Sequence, residues 1–184
     1  MAEHVCPFWV GYLLLSPLRK IITNPVRILR PYVRPGMTVL DAGTAMGFFT
    51  LPLARLVGRS GHVIAVDLQE KMIASLKKRA VKAGLDARIE YRVCTPDSLR
   101  IDDLQRKVDF ALAVAVVHEV PDARRFFTEI FAALNTGGSL LFSEPAGHVS
   151  ADAFNGSLSL ARAVGFEIRT TRRVLRSHSA LLAK

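Results

Sequence analysis

Several signals that would give this chain a compartment or a cross-linked framework are missing. It has only two cysteines, Cys6 and Cys94, far apart and without a Cys-x-x-Cys spacing. Neither a disulfide scaffold nor a zinc ribbon is therefore expected, and both thiols are read as reduced. Long apolar runs are also missing: the stretch from Phe8 to Leu15 is too short for a bilayer and Pro17 follows it, so no stable membrane insertion is expected. The opening residues Met-Ala-Glu-His lack the positive charge of a secretory signal, and the expected location is cytoplasmic. Of His4, Cys6, His118 and His148, only His4-x-Cys6 has a ligand-like spacing, so no metal is expected. Repeats and low-complexity tracts do not occur. What is there is 184 residues, 50% hydrophobic, which suits one globular domain with an ample core.

The chemistry concentrates where Val39-Leu40-Asp41-Ala42-Gly43-Thr44-Ala45-Met46-Gly47-Phe48-Phe49-Thr50 turns from a short buried strand into a helix. Gly43 and Gly47 let backbone approach a ligand closely. Free helix amides and their positive dipole end are expected to face the turn and favour an anionic group. Asp41 is discordant: it would repel a pyrophosphate but suits a cofactor carrying an ammonium or sulfonium. The dinucleotide fingerprint Gly-x-Gly-x-x-Gly is absent, its place taken by Asp-x-Gly-x-x-x-Gly. A second apolar strand ends in Asp67, where doubly wound folds hold ribose hydroxyls. Asp67 can accept both hydroxyls of a 2′,3′-diol, and Leu68 or Met72 can pack on an adenine face. An adenosine compound is the expected cofactor.

Strands alternate with helices, the pattern of an α/β fold whose doubly wound, mostly parallel sheet is covered on both faces. The periodicity predicts strand 38–42, helix 47–57, strand 62–67, helix 69–83 closed by Gly84, strand 88–93 and a short helix or turn around 97–105. Strand 108–114, helix 122–134, strand 139–144, helix 150–164 and strands 166–173 and 176–183 follow. The short connection between the last two suggests an antiparallel hairpin. Residues 1–32 read as an N-terminal helical extension and 33–184 as the cofactor-binding domain.

Asp-x-Gly-x-x-x-Gly resembles motif I of the class I S-adenosylmethionine-dependent methyltransferases, in particular the small quinone-biosynthesis-like group. Four further stretches look like the remaining motifs: Val66-Asp67, Val93 to Leu99, Val108 to Val114 running into His118-Glu119-Val120, and Leu134 to Pro145. The resemblance covers Val33 to Lys184. It implies a Rossmann-like, seven-stranded sheet with a C-terminal hairpin, S-adenosylmethionine as cofactor, and methyl transfer. It also implies site residues: Asp41, Ala42, Gly43, Thr44 and Gly47 about the methionine part, Asp67 at the ribose, Leu68 and Thr95-Pro96-Asp97 at the adenine, and Ala113 at the end of the fourth strand. Two departures stand out. Thr95 is neutral where an acid is common, which leaves Asp97 or a backbone carbonyl for the adenine amino group, and Ala45 replaces a frequent glycine.

Methyl transfer from a sulfonium is an in-line displacement, so the protein's main tasks are to align the acceptor and exclude water. His118 and Glu119 after the fourth strand, and Glu144 and His148 flanking the end of the fifth, are the candidate acid and base groups. Plain structural roles are the alternative for each. The apolar segment Val5 to Leu15 is expected to form part of the substrate pocket, with Trp9 and Tyr12 against the acceptor; padding of a sheet edge and an interfacial anchor are the alternatives. A net charge of +9 favours polyanions. The basic groups are Lys77-Lys78-Arg79 with Lys82, Arg124-Arg125, and Arg169, Arg172, Arg173 and Arg176. However, Lys71, Lys78 and Lys82 fall on the outer face of a helix whose Ile73, Leu76 and Ala80 turn inward. The fourth strand also runs into Val117-His118-Glu119-Val120-Pro121-Asp122, not the Asn-Pro-Pro-Tyr type of amino-directed nucleic-acid enzymes. A small-molecule acceptor is thus the expected partner, without specific nucleic-acid binding, and a homodimer stays open. An RNA or protein methyltransferase, or a non-catalytic S-adenosylmethionine-binding protein, are the alternative readings.

Overall fold

Strands covered on both faces must be apolar at nearly every position, and three segments meet that demand: β1 (Thr38–Ala42), β2 (His62–Asp67) and β4 (Val108–Val114). They form the middle of the sheet in the computed structural model, which describes residues 24–174 and 177–184. With β3 (Ile89–Val93), β5 (Leu134–Pro145), β6 (Glu167–Val174) and β7 (Ser177–Ala183) the sheet has seven strands in the order β3-β2-β1-β4-β5-β7-β6. The first five run parallel, while β7 pairs antiparallel with both β5 and β6. The fold is the expected α/β arrangement with its C-terminal hairpin.

Among the described residues, five helices cover the two faces: α1 (Pro25–Leu29), α2 (Thr50–Leu56), α3 (Glu70–Lys82), α4 (Ala123–Ala133) and α5 (Ala151–Val164). On one face, Leu29, Leu53, Ala54, Leu76 and Ala80 share a core with Val39, Val63, Ala65, Phe110 and Leu112. On the other, Phe126, Phe127, Ile130, Phe154 and Leu158 pack with Leu40, Ile64, Val66, Ala111 and Phe142. Because β1 lies between β2 and β4, the chain reverses direction across the sheet at that point and leaves a crevice at the strands' carboxyl ends.

Two elements depart from the sequence expectation. The helix expected over 47–57 starts only at Thr50, because residues 45–49 form an irregular turn. The strand expected over 139–144 begins at Leu134, directly after α4. Asn135 to Gly138 reads as a turn, yet Leu134 pairs with Val108 and the pairing then shifts so that Ser139 faces Phe110. Lys184 supports this abrupt change: its Nζ donates to the carbonyls of Phe131 at 2.5 Å and Leu134 at 2.6 Å, groups that a helix end leaves unpaired.

Within residues 24–32, part of the extension in the sequence reading, Leu29 enters the core and Ile28 and Tyr32 pack against it. Asn24 caps α1 by accepting from the Arg27 N–H, Leu29 is fully buried, and the Tyr32 ring stacks on Phe110 at 5.7 Å. Trp9, Tyr12 and the rest of the segment expected over the acceptor lie outside the described residues. Among the described residues no helix is long and apolar enough to cross a membrane. Since Leu29 is built into the core, Leu29→Ala should lower unfolding free energy by roughly 2–5 kcal/mol. Chemical denaturation measures this, and a loss well under about 1 kcal/mol would detach α1 from the cooperative unit.

Candidate cofactor and acceptor site

The turn after β1 is held by hydrogen bonds that run inward. The N–H groups of Gly43 and Thr44 both donate to the Val66 carbonyl, at 2.9 and 3.1 Å, and the Gly47 N–H donates to the Thr44 carbonyl at 3.0 Å. The Ala45 N–H donates to the Asp67 carboxylate at 2.7 Å. The N–H groups of these four residues, all ahead of the first residue of α2, are therefore engaged within the protein. Asp67 keeps acceptor capacity at the turn, which suits an ammonium or a hydroxyl.

Both glycines of the turn have packing reasons for being glycine. Gly43, at φ +86°, lies so close to the loop after β4 that a Cβ would sit 2.8 Å from Val116 Cβ. Gly47, at φ +84°, has its missing side chain replaced by Leu76 of α3. Ala45 also lies in the left-handed region, at φ +47°, at a cost of about 1–2 kcal/mol in backbone strain. A third clasp comes from α3, where the Arg79 guanidinium donates to the Met46 carbonyl. Burial lowers the pKa of Arg79. Arg79 therefore leaves the solvated basic group in which its sequence neighbours place it, while Lys71, Lys78 and Lys82 are exposed as expected.

Two carboxylates lie at the crevice, in different surroundings. Asp41 is buried and accepts a 2.6 Å hydrogen bond from the Thr50 hydroxyl, which is itself bonded to the Thr44 hydroxyl. Burial pushes its pKa up to about 6, against the lowering effect of the two threonines, and the charge of Asp67 adds to the rise. Asp67 is half-buried at the end of β2; one oxygen takes the Ala45 N–H and the other the Gln69 N–H at 2.9 Å. Its pKa is also raised by burial, with these two N–H donors opposing.

The other expected cofactor residues divide by exposure. Ala42 and Ala113 are fully buried with their side chains in the core, so only their backbone can face a ligand. Met72 is buried as well, which removes it as an adenine-stacking side chain and leaves the half-buried Leu68. Thr95, Pro96, Asp97 and Ser98 form a tight turn in which the Thr95 N–H donates to the Ser98 carbonyl at 3.0 Å. Asp97 is exposed there, its pKa lowered chiefly by the Thr95 hydroxyl.

The four acid and base candidates converge on the loops after β4 and β5. Glu144, almost fully buried, accepts the Val117 N–H at 2.8 Å on one oxygen, and its other oxygen lies 2.5 Å from His118 Nδ1. Glu119 Oε1 is 3.9 Å from His118 Nε2, and the His148 ring stacks on that of His118 at 6.4 Å. The pKa of His118 is raised, chiefly by the Glu144 hydrogen bond, with desolvation opposing. Val116, one residue before the 3-10 turn of Val117–Glu119, carries this loop onto Gly43 and thus onto the cofactor turn. The contacts of Val116, Arg79 and Thr50 escaped the sequence reading; the only local hint was the position of Arg79, three residues after the inward-facing Leu76.

A family model described as a methyltransferase domain matches residues 34–176. Among curated relatives, the Ubiquinone biosynthesis O-methyltransferase of Paramagnetospirillum magneticum is 33% identical over 111 residues, covering 60% of this chain and 41% of the relative. The Arsenite methyltransferase of Halobacterium salinarum is 32% identical over 110 residues, again 60% of this chain but 27% of the relative. The matched stretch is thus less than half the length of these relatives. A crystal structure of a SAM dependent methyltransferase from Aquifex aeolicus superposes with a TM-score of 0.86 at 22% identity, covering 97% of this chain and 99% of that one. A domain match over most of the chain, the sheet order and the turn from Asp41 to Gly47 agree, and the chain belongs to the class I S-adenosylmethionine-dependent methyltransferases.

Proposed function

We propose that this protein transfers the methyl group of S-adenosylmethionine to a small-molecule acceptor. The observation that carries the reading is Asp67, whose two oxygens are each oriented by one backbone N–H and each keep a lone pair for a hydroxyl of a ribose diol. The donor set of the crevice fits the cofactor: the carboxylates of Asp41 and Asp67 favour its ammonium and repel a pyrophosphate. In this reading Asp67 holds the ribose, the 43–47 turn borders the methionine part, and Leu68 with Thr95 to Asp97 borders the adenine. When bound, S-adenosylmethionine supplies an electrophilic methyl group on a sulfonium sulfur. The protein's share is alignment and the exclusion of water.

The relatives, named for ubiquinone biosynthesis and for arsenite, support a small acceptor. A soft metalloid acceptor such as arsenite has less to recommend it, because Cys94 is the one cysteine among the described residues and burial pushes its thiol up to about 11, away from the thiolate that such chemistry needs. Calorimetry should show binding of S-adenosylmethionine and none of NAD; the reverse would sink the assignment. Asp67→Ala should weaken cofactor binding by roughly 1–3 kcal/mol. Arg79→Ala should loosen the turn and raise the cofactor Kd by on the order of tenfold, while turnover at saturating cofactor stays close to the parent value. Duplex DNA and tRNA should bind weakly, with affinity falling steeply as salt rises. Retention of tight tRNA binding near 150 mM salt would favour a nucleic-acid acceptor.

A further inference from the structure

We infer that His118 is the general base for an acceptor hydroxyl, and that Glu144 is the positioning residue that holds its Nδ1 protonated and its Nε2 directed away from the core. The inference rests on the methyl-transfer reading above and narrows its acceptor to molecules that give up a proton. It starts from the geometry of Glu144. A carboxylate accepts only, and here one oxygen takes the Val117 N–H while the other meets Nδ1 at 2.5 Å. The Nδ1 atom must therefore carry the hydrogen, and neutral His118 has its lone pair on Nε2. The side chain of His118 is 28% exposed against 2% for Glu144, so the imidazole is anchored at Nδ1 and partly open to solvent, with Glu119 Oε1 3.9 Å from Nε2. Val116 packs this loop onto Gly43, which brings the pair to the same crevice as the cofactor turn.

A thioether, a tertiary amine or an arsenic lone pair needs no base to accept a methyl group, whereas a hydroxyl is a poor nucleophile until it loses its proton. In the step assigned here the acceptor O–H bond breaks and the proton passes to Nε2. The oxygen electron pair forms the new bond to the methyl carbon, and the carbon–sulfur pair stays on sulfur. Glu144 stabilises the resulting imidazolium, which later gives its proton to water. The charged groups around His118 are Glu144 from β5 and Glu119 on its own turn, with His148 stacked from the loop after β5. The two carboxylates raise the His118 pKa, so the neutral base appears only as pH rises through that raised value, and turnover should rise over the same range.

Two measurements on cofactor-free protein judge the pair by itself. Nitrogen-15 NMR of the imidazole, assigned by its loss in His118→Ala, should show the Nδ1–H form at high pH, and Glu144→Gln should move the His118 titration to lower pH. An Nε2–H form, or a titration unmoved by Glu144→Gln, overturns the positioning role. Labelled-methyl transfer is then measured with catechol, 2-naphthol and 1,4-naphthohydroquinone as hydroxyl probes and with dimethyl sulfide and arsenite as comparisons. Methylation of a hydroxyl probe that falls by about 10²–10⁴-fold in His118→Ala, with the cofactor Kd unchanged, supports the inference. Glu144→Gln, checked for an intact fold by its melting temperature, should lower the plateau and shift the pH profile down. Transfer to the thioether or arsenite alone, no transfer to any hydroxyl probe despite cofactor binding, or a His118→Ala enzyme of undiminished rate overturns it. Absence of S-adenosylmethionine binding in the calorimeter would instead defeat the methyl-transfer reading.

Discussion

The Asp67 carboxylate is the constraint on which the site depends. It ends β2, yet through the Ala45 N–H it fixes the turn that ends β1, and through the Gln69 N–H it fixes the approach to α3. Two strands and a helix are thereby set relative to one another by one side chain, at the point where the sheet reverses direction. Removing half of that arrangement would leave Ala45 in a left-handed conformation with nothing to hold it there. The turn then relies on the close packing of Val116 and Leu76 against glycines, which tolerates no side chain.

The opposite wall of the crevice is organised by the same means. Glu144 spans from β5 to the loop after β4, taking a backbone N–H with one oxygen and an imidazole with the other. Both walls thus use a strand-end acid to hold a neighbouring strand's loop by its amide. The acids differ in what they leave over: Asp67 keeps acceptor capacity, whereas Glu144 presents a histidine. An acid that is nearly fully buried would be costly without such partners, and the hydrogen bonds are what make its burial tolerable.

Much of the fold was readable because its central strands carry a strong signal. Thr38 to Ala42, His62 to Asp67 and Val108 to Val114 are apolar on both faces, and their limits match the sequence expectation. The start of β5 was not readable, since Asn135 to Gly138 has the composition of a turn, and the strand reaches back to Leu134 only through its long-range pairing with Val108 across a register shift. In the site, the sequence could place His118, Glu119, Glu144 and His148 at the carboxyl ends of two strands, and the parallel fold then brings those ends together. It could not show that Asp41 is covered by Thr50, or that Arg79 reaches Met46, because those contacts depend on how helices sit over a turn and leave no periodic trace. Nor could it show that the amides of Gly43, Thr44, Ala45 and Gly47 are engaged within the protein.

Asp41 ties the ionisation state of the crevice to the stability of the fold. A carboxyl whose pKa rises from an ordinary value near 4 to about 6 on folding favours the folded chain in its protonated form, so ionising it between those values withdraws on the order of 3 kcal/mol of stability as pH rises. Asp67 nearby deepens this penalty by repulsion. A cation placed beside the two carboxylates would reverse part of it by favouring the ionised form of Asp41. Its binding would then be linked to proton release, and the heat measured would depend on the ionisation enthalpy of the buffer that takes the protons up.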